Sequence, residues 1–135
     1  MRAFLLLAAM LIGLGSPAGA ADDVAAAQNV IRSQVEAFGR DDAAAAYAHA
    51  APAIQEMFPH ADMFMAMVRG SYAPVYRHRS FEFGEARVEG GKIAQRVRIV
   101  DAEGVPWDAL YTLEQQADGS VRISGCTLLK AGQAV

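Results

Sequence analysis

The apolar residues of this chain change their period once, near Tyr76, and that change limits the fold more than any other feature. Upstream, Val24, Ala27, Ile31, Val35 and Phe38 recur at spacings of three and four, the mark of a helix with one buried stripe. Asp22 and Asp23 are expected to open this helix by capping its free amides and complementing its dipole, and Gly39 to end it. Asp41-Asp42 introduces an alanine-rich second helix from Ala43 to near Ala50, and Pro52 suits the first turn of a short third one carrying Ile54, Met57 and Phe58. A fourth is expected from Ala61 to Arg69, with Gly70 as its stop. Downstream the pattern alternates, and "SFEFGEARVEGG", "KIAQRVRIVDAEG", "VPWDALYTLEQQADG" and "SVRISGCTLLK" read as four strands. The turns between them, Gly90-Gly91, Asp101 to Gly104 and Ala117 to Gly119, are too short to join parallel strands, so an antiparallel meander follows.

Helices first and a meander afterwards predict the α+β class, with the N-terminal helices packed on one face of a curved antiparallel sheet. Such a sheet, rolled around a long helix, makes a cone whose mouth admits a small ligand. The order of elements resembles that of nuclear-transport-factor-2-like and ketosteroid-isomerase-like (cystatin-like) proteins, though fold alone carries no activity. No repeat, linker or second composition appears, so residues 21–135 are expected to form a single domain.

The first twenty residues read differently. Arg2 supplies a charged start, Ala3 to Leu14 is apolar, and Ala18-Gly19-Ala20 is an A-x-A cleavage site, together the pattern of a cleavable secretory signal peptide. The apolar run is shorter than the roughly 17–25 residues of a spanning helix, so no membrane anchor is expected after cleavage. A periplasmic or secreted location follows. Of 12 basic and 15 acidic side chains, losing Arg2 leaves 11 and 15, a formal charge of −4 that gives no reason to expect nucleic acid as a partner. Cys126 is the single cysteine and makes no internal disulfide. Within "VRISGCTLL" it reads as a buried small hydrophobe, the alternative being a reactive thiol, which needs a base and positive charge nearby.

The blocks "VIRSQVEAFGRDDAAAAYAHAAPAIQEMF", "FMAMVRGSYAPVY", "QRVRIVDAEG" and "LYTLEQQADGSVRISGCTLL" resemble a family of small exported bacterial proteins known as domain of unknown function 4864. The likeness spans roughly Val24 to Leu129 and departs at Tyr76 and Val121, where tryptophan is the family's usual residue. It implies a cone-like fold and brings no catalytic residues.

One position in the sheet stands out. Ile93, Val97 and Ile99 share the inner face of the second strand, and Gln95 shares it with them. A buried amide without partners costs about 1–3 kcal/mol, so the site must supply some. The facing row of the next strand is Trp107, Ala109, Tyr111 and Leu113. Either Tyr111 satisfies Gln95, or both hold a ligand; the first is preferred because most buried polar side chains are satisfied within the protein. In the structural case Gln95→Leu is expected to leave stability equal or higher. The tyrosines suit the edge of a pocket as well as an ordinary core edge, and the expected ligand-binding set is Tyr47, Tyr72, Gln95, Trp107 and Tyr111. The ligand implied is small and apolar or amphipathic.

A cavity enzyme of the isomerase or hydratase kind is the alternative to a binding or interaction module. It needs a carboxylate base inside the cone, and Asp101 and Glu103 are assigned to a turn while Asp108 and Glu114 alternate outward. His49, His60 and His78 form no metal-ligand spacing, and no motif asks for a cofactor. Arg69, Arg77, His78 and Arg79 form a basic patch at the junction of helices and sheet. Arg96 and Arg98 are expected on the sheet's outer face, where a homodimer is a further alternative if Glu82 or Glu114 neutralises them.

Overall fold

The computed structural model describes residues 18–132. The charged and apolar parts of the expected signal peptide, and Gln133 to Val135 of the tail, lie outside them. Five helices, α1 (Ala18–Gly39), α2 (Ala43–Ala48), α3 (Pro52–Met57), α4 (Ala61–Ser71) and α5 (Ala73–Tyr76), precede four strands, β1 (His78–Glu89), β2 (Lys92–Asp101), β3 (Pro106–Gln115) and β4 (Val121–Lys130). The strands form one open, curved sheet in the order β1-β2-β3-β4, every neighbouring pair antiparallel. The α+β class and the meander are as expected. Among the described residues no helix is long and apolar enough to cross a membrane.

The stripe of α1 buries Ala27, Ile31, Ala37 and Phe38 against the sheet, and Gln34 goes in with them. Helix α1 ends at Gly39 as expected, while its first turn differs from expectation. It is already helical at Ala18, the first described residue, so Asp22 and Asp23 sit more than a turn inside it rather than at its cap. At the other end Gly39 is the last helical residue, but the left-handed residue that closes the helix is Asp41, at φ 55°. There Asp42 N donates to Ala37 O (2.9 Å) and Asp41 N to Phe38 O (3.0 Å). Arg77 reinforces this end by donating to Phe38 O at 2.9 Å and to Asp41 Oδ1 at 3.0 Å. Asp42 then caps α2 by accepting from Ala45 N at 3.0 Å. Helix α4 runs through Gly70 to Ser71 rather than stopping at the glycine, and Pro74, in the first turn of α5, allows a short helix that the alternation rule does not anticipate.

Gly90 and Gly91, at φ 55° and 77°, close the β1–β2 hairpin with the two positive φ values that a two-residue turn matching strand twist requires. The inner row of β2 is Ile93, Gln95, Val97, Ile99 and Asp101, all buried, and that of β3 is Ala109, Tyr111 and Leu113. The link from α2 to α3 runs parallel to β4 for one bridge, Ala50 with Ile123. Ile123 N donates to His49 O (2.8 Å) and Ala51 N to Ile123 O (2.7 Å), which covers part of the β4 edge and fixes α3 beside that strand.

Candidate functional site

The helices do not fill the space over β3 and β4. A cavity of about 410 Å³ lies between α1, α3, α4 and the inner side of these strands. Small-molecule sites occupy roughly 300–1,000 Å³, so the volume suits one modest organic ligand. Its walls come from residues that the helical period places inward, among them Phe38, Phe64 and Val68, with Ile123 from the sheet. Toward solvent the lining passes to Ile54 and Met67, and to Met57, whose thioether side chain is 70% exposed. The lining contains no lysine, arginine, histidine, aspartate or glutamate among the described residues.

Three polar groups of the lining have distinct roles. Tyr72 donates its hydroxyl to Cys126 O at 2.8 Å, tying the end of α4 to β4. The Cys126 thiol is pushed up to about 12 by its burial, so it stays protonated and fits the reading of a small hydrophobe. Tyr111 is 2% exposed, and its hydroxyl oxygen is enclosed without a hydrogen-bond partner. Cys126 is its register partner on β4 and lies beside it. The phenol and thiol touch, and each shifts the other's titration, but a thiol is a weak partner and the contact falls short of full hydrogen-bond geometry. Burial first, then the Cys126 thiol through charge and contact, and last Tyr72, hold the Tyr111 phenol well above its usual pKa, so it is a neutral donor.

Of the five residues expected to bind a ligand, Tyr72 and Tyr111 line this cavity and Tyr47, Gln95 and Trp107 do not. The Tyr47 hydroxyl donates to Phe58 O at 2.6 Å and lies 3.2 Å from Gln55 O, while Gln55 Nε2 returns a bond to Tyr47 O at 3.1 Å. Tyr47 therefore clasps α2 to the end of α3. Trp107 donates Nε1 to Asp101 Oδ2 at 2.9 Å and closes the β2–β3 turn.

Gln95 faces Tyr111 in register but does not bond to it. The pairing of β1 with β2 slips between Phe83 and Ala86, and this bulge turns two carbonyls toward the amide. Gln95 Nε2 donates to Gly84 O (3.0 Å) and to Arg96 O (2.8 Å) and lies 3.3 Å from Glu85 O; its Oε1 accepts from Gln28 Nε2 of α1 at 3.1 Å. Gln95 is thus a satisfied core amide, with the bulge rather than Tyr111 as its partner. The orphan it leaves behind is the Tyr111 hydroxyl.

Asp101 continues the inner row of β2 instead of standing free in a turn, and is 8% exposed. Its Oδ1 accepts from Glu103 N (3.0 Å) and Val105 N (2.8 Å), its Oδ2 from Trp107. The indole bond chiefly, with the backbone amides, holds this carboxyl below its ordinary value against the opposing effect of burial. It is an ionised turn anchor and lies outside the cavity. Gln34 is a lining residue that sequence reasoning passed over, although its place between Ile31 and Phe38 put it in the α1 stripe; its Nε2 donates to Ala46 O at 3.2 Å. Met57 and Met67 carry no periodic signal that separates a cavity rim from an ordinary helix surface. Among the described residues no group of His, Cys, Asp and Glu is arranged to hold a metal ion.

A family model described as domain of unknown function (DUF4864) matches residues 20–134. No curated protein and no solved structure matches the chain.

Proposed function

The chain belongs to the family described as domain of unknown function (DUF4864), and from that premise we propose a role read from the site alone: an exported, non-catalytic module that binds one small, mainly apolar molecule beneath its helices. The observation that carries this reading is the cavity of about 410 Å³ whose walls are mainly apolar and uncharged, while the buried hydroxyl of the lining residue Tyr111 has only a thiol beside it. A folded core close-packs its apolar side chains and pairs its buried polar atoms, so a lined void with an orphan donor is a place prepared for something else. Export rests on the charged start, apolar run and small-residue site of residues 1–20. The cone-like likeness to nuclear-transport-factor-2-like proteins belongs to the same proposal. An isomerase-type reaction finds less support, since Asp101, the one buried acid among the described residues, is engaged in three hydrogen bonds and lies outside the cavity.

Native mass spectrometry of the protein recovered gently from its own host tests the reading. A chain starting near Ala21 that carries a reproducible small mass is the expected result. The same chain bare in repeated preparations, above all as a dimer, would replace ligand binding with self-association as the module's role.

A further inference from the structure

Resting on the binding role proposed above, the ligand's chemistry can be narrowed from the lining. We propose that the cavity takes an uncharged, largely apolar molecule carrying one acceptor oxygen, a ketone or ester carbonyl, which enters first and receives the hydrogen bond of Tyr111.

Tyr111, only 2% exposed, lines the cavity with its hydroxyl shielded by the Cys126 thiol that an entering acceptor must displace, whereas Met57, at 70%, marks the side open to solvent. A phenol has one proton to give. Tyr72 spends its own on Cys126 O and Ser124 on Thr112 Oγ1, and Thr127 is exposed to water, so Tyr111 is the buried lining hydroxyl left to meet a ligand. An anion or cation at the inner end would be desolvated without a compensating charge, because the lining holds no ionised side chain among the described residues. A hydrocarbon with no acceptor would leave the hydroxyl as poorly served as before. A neutral carbonyl satisfies it at little desolvation cost, and the apolar remainder of the molecule then lies along Phe38, Phe64 and Val68. Met57 and Met67, flexible and polarizable, adapt the outer end to bodies of different outline.

The test uses the neutral fluorescent ketone prodan and its analogue in which the propionyl group is reduced to propyl, with dissociation constants from equilibrium dialysis. Wild type is expected to bind prodan about fivefold to tenfold tighter than the propyl analogue, the ratio expected of one net hydrogen bond. Tyr111→Phe should erase the preference, and prodan bound to it should emit to the blue of prodan bound to wild type. Met67→Trp, which fills the lining, should remove binding of both. If wild type and Tyr111→Phe bind both probes equally and in a way that Met67→Trp blocks, the carbonyl inference is overturned while the cavity remains a binding site. If neither probe binds wild type, the binding role itself falls, and the inference with it.

Discussion

At the scale of single residues, what decides the role of a polar side chain here is the supply of partners within reach. Gln95 has four, three of them carbonyls, two of which the β1 bulge turns toward it. Replacement by leucine takes the shared donor from these carbonyls, so Gln95→Leu is now expected to cost about 1–3 kcal/mol, read from urea unfolding. This reverses the sequence expectation of equal or higher stability, and a neutral result would mean that water serves the bulge equally well. Tyr111→Phe should behave in the opposite way: it deletes an orphan and leaves stability unchanged or up to about 1 kcal/mol higher. Cys126, with its thiol held at about 12, should be only about one part in ten thousand thiolate at pH 8. Alkylation of the native protein should accordingly be very slow and become fast once urea unfolds it. Asp101 supplies an acid limit. Its folded pKa lies below the unfolded value near 3.8, so the stability it contributes is present above that value and lost as the pH falls through the folded one. Unfolding of Asp101→Asn, followed by Trp107 fluorescence, should therefore change less between pH 5 and pH 2, the range that brackets carboxylate titration, than unfolding of wild type.

At the scale of elements, register explains a feature of the outer face that alternation alone leaves open. Glu82, Arg98 and Asp108 are successive partners across β1, β2 and β3, and Arg98 Nε lies 3.9 Å from Asp108 Oδ1. Glu89, Lys92, Glu114 and Arg122 form a second row in the same way across all four strands. Of the two arginines that look like a positive face in sequence, Arg98 is thus set between acids, while Arg96 is in register with Leu110. Arg98→Asp would put three acids side by side and should cost about 0.5–1.5 kcal/mol at low salt. Because these side chains are solvated, about 1 M salt should restore much of the loss; a loss insensitive to salt would point instead to the packing of the arginine stem. The helical elements show the limits of local signals in another form. Gly39 ends α1 as expected, with Asp41 as the left-handed residue beyond it and Arg77 bonded to that end, whereas Gly70, the other expected stop, lies within α4.

At the scale of the whole molecule, the core begins well inside the N-terminal segment. Residues 19–22 of α1 are exposed and its first buried side chain is Ala27. A chain beginning at Ala21 should therefore keep the same fold and the same urea midpoint. Cutting there would also bring Asp22 and Asp23 into the first turn of the shortened helix, where their charge favours the dipole. A markedly lower midpoint would show that residues before Ala21 contribute packing to the domain. Ligand occupancy acts at the same scale: a molecule that binds only the folded form, supplied at a hundred times its Kd, should add about 2.7 kcal/mol and raise the melting temperature.

The α+β class, the order of helices and strands, the inner rows of β2 and β3 and the adjacency of Gln95 and Tyr111 were legible in the sequence, because side-chain period and turn length are local properties of the chain. Which of those neighbours bond was not. The bulge at Gly84 and Glu85, which takes Gln95 away from Tyr111, depends on how two strands settle against each other under α1. The cavity depends on how far α3 and α4 stand from β3 and β4, a distance set by the bridge of Ala50 to Ile123 and the bond of Tyr72 to Cys126. Periodicity states which side chains turn inward; only the packed structure decides whether they meet one another or leave room.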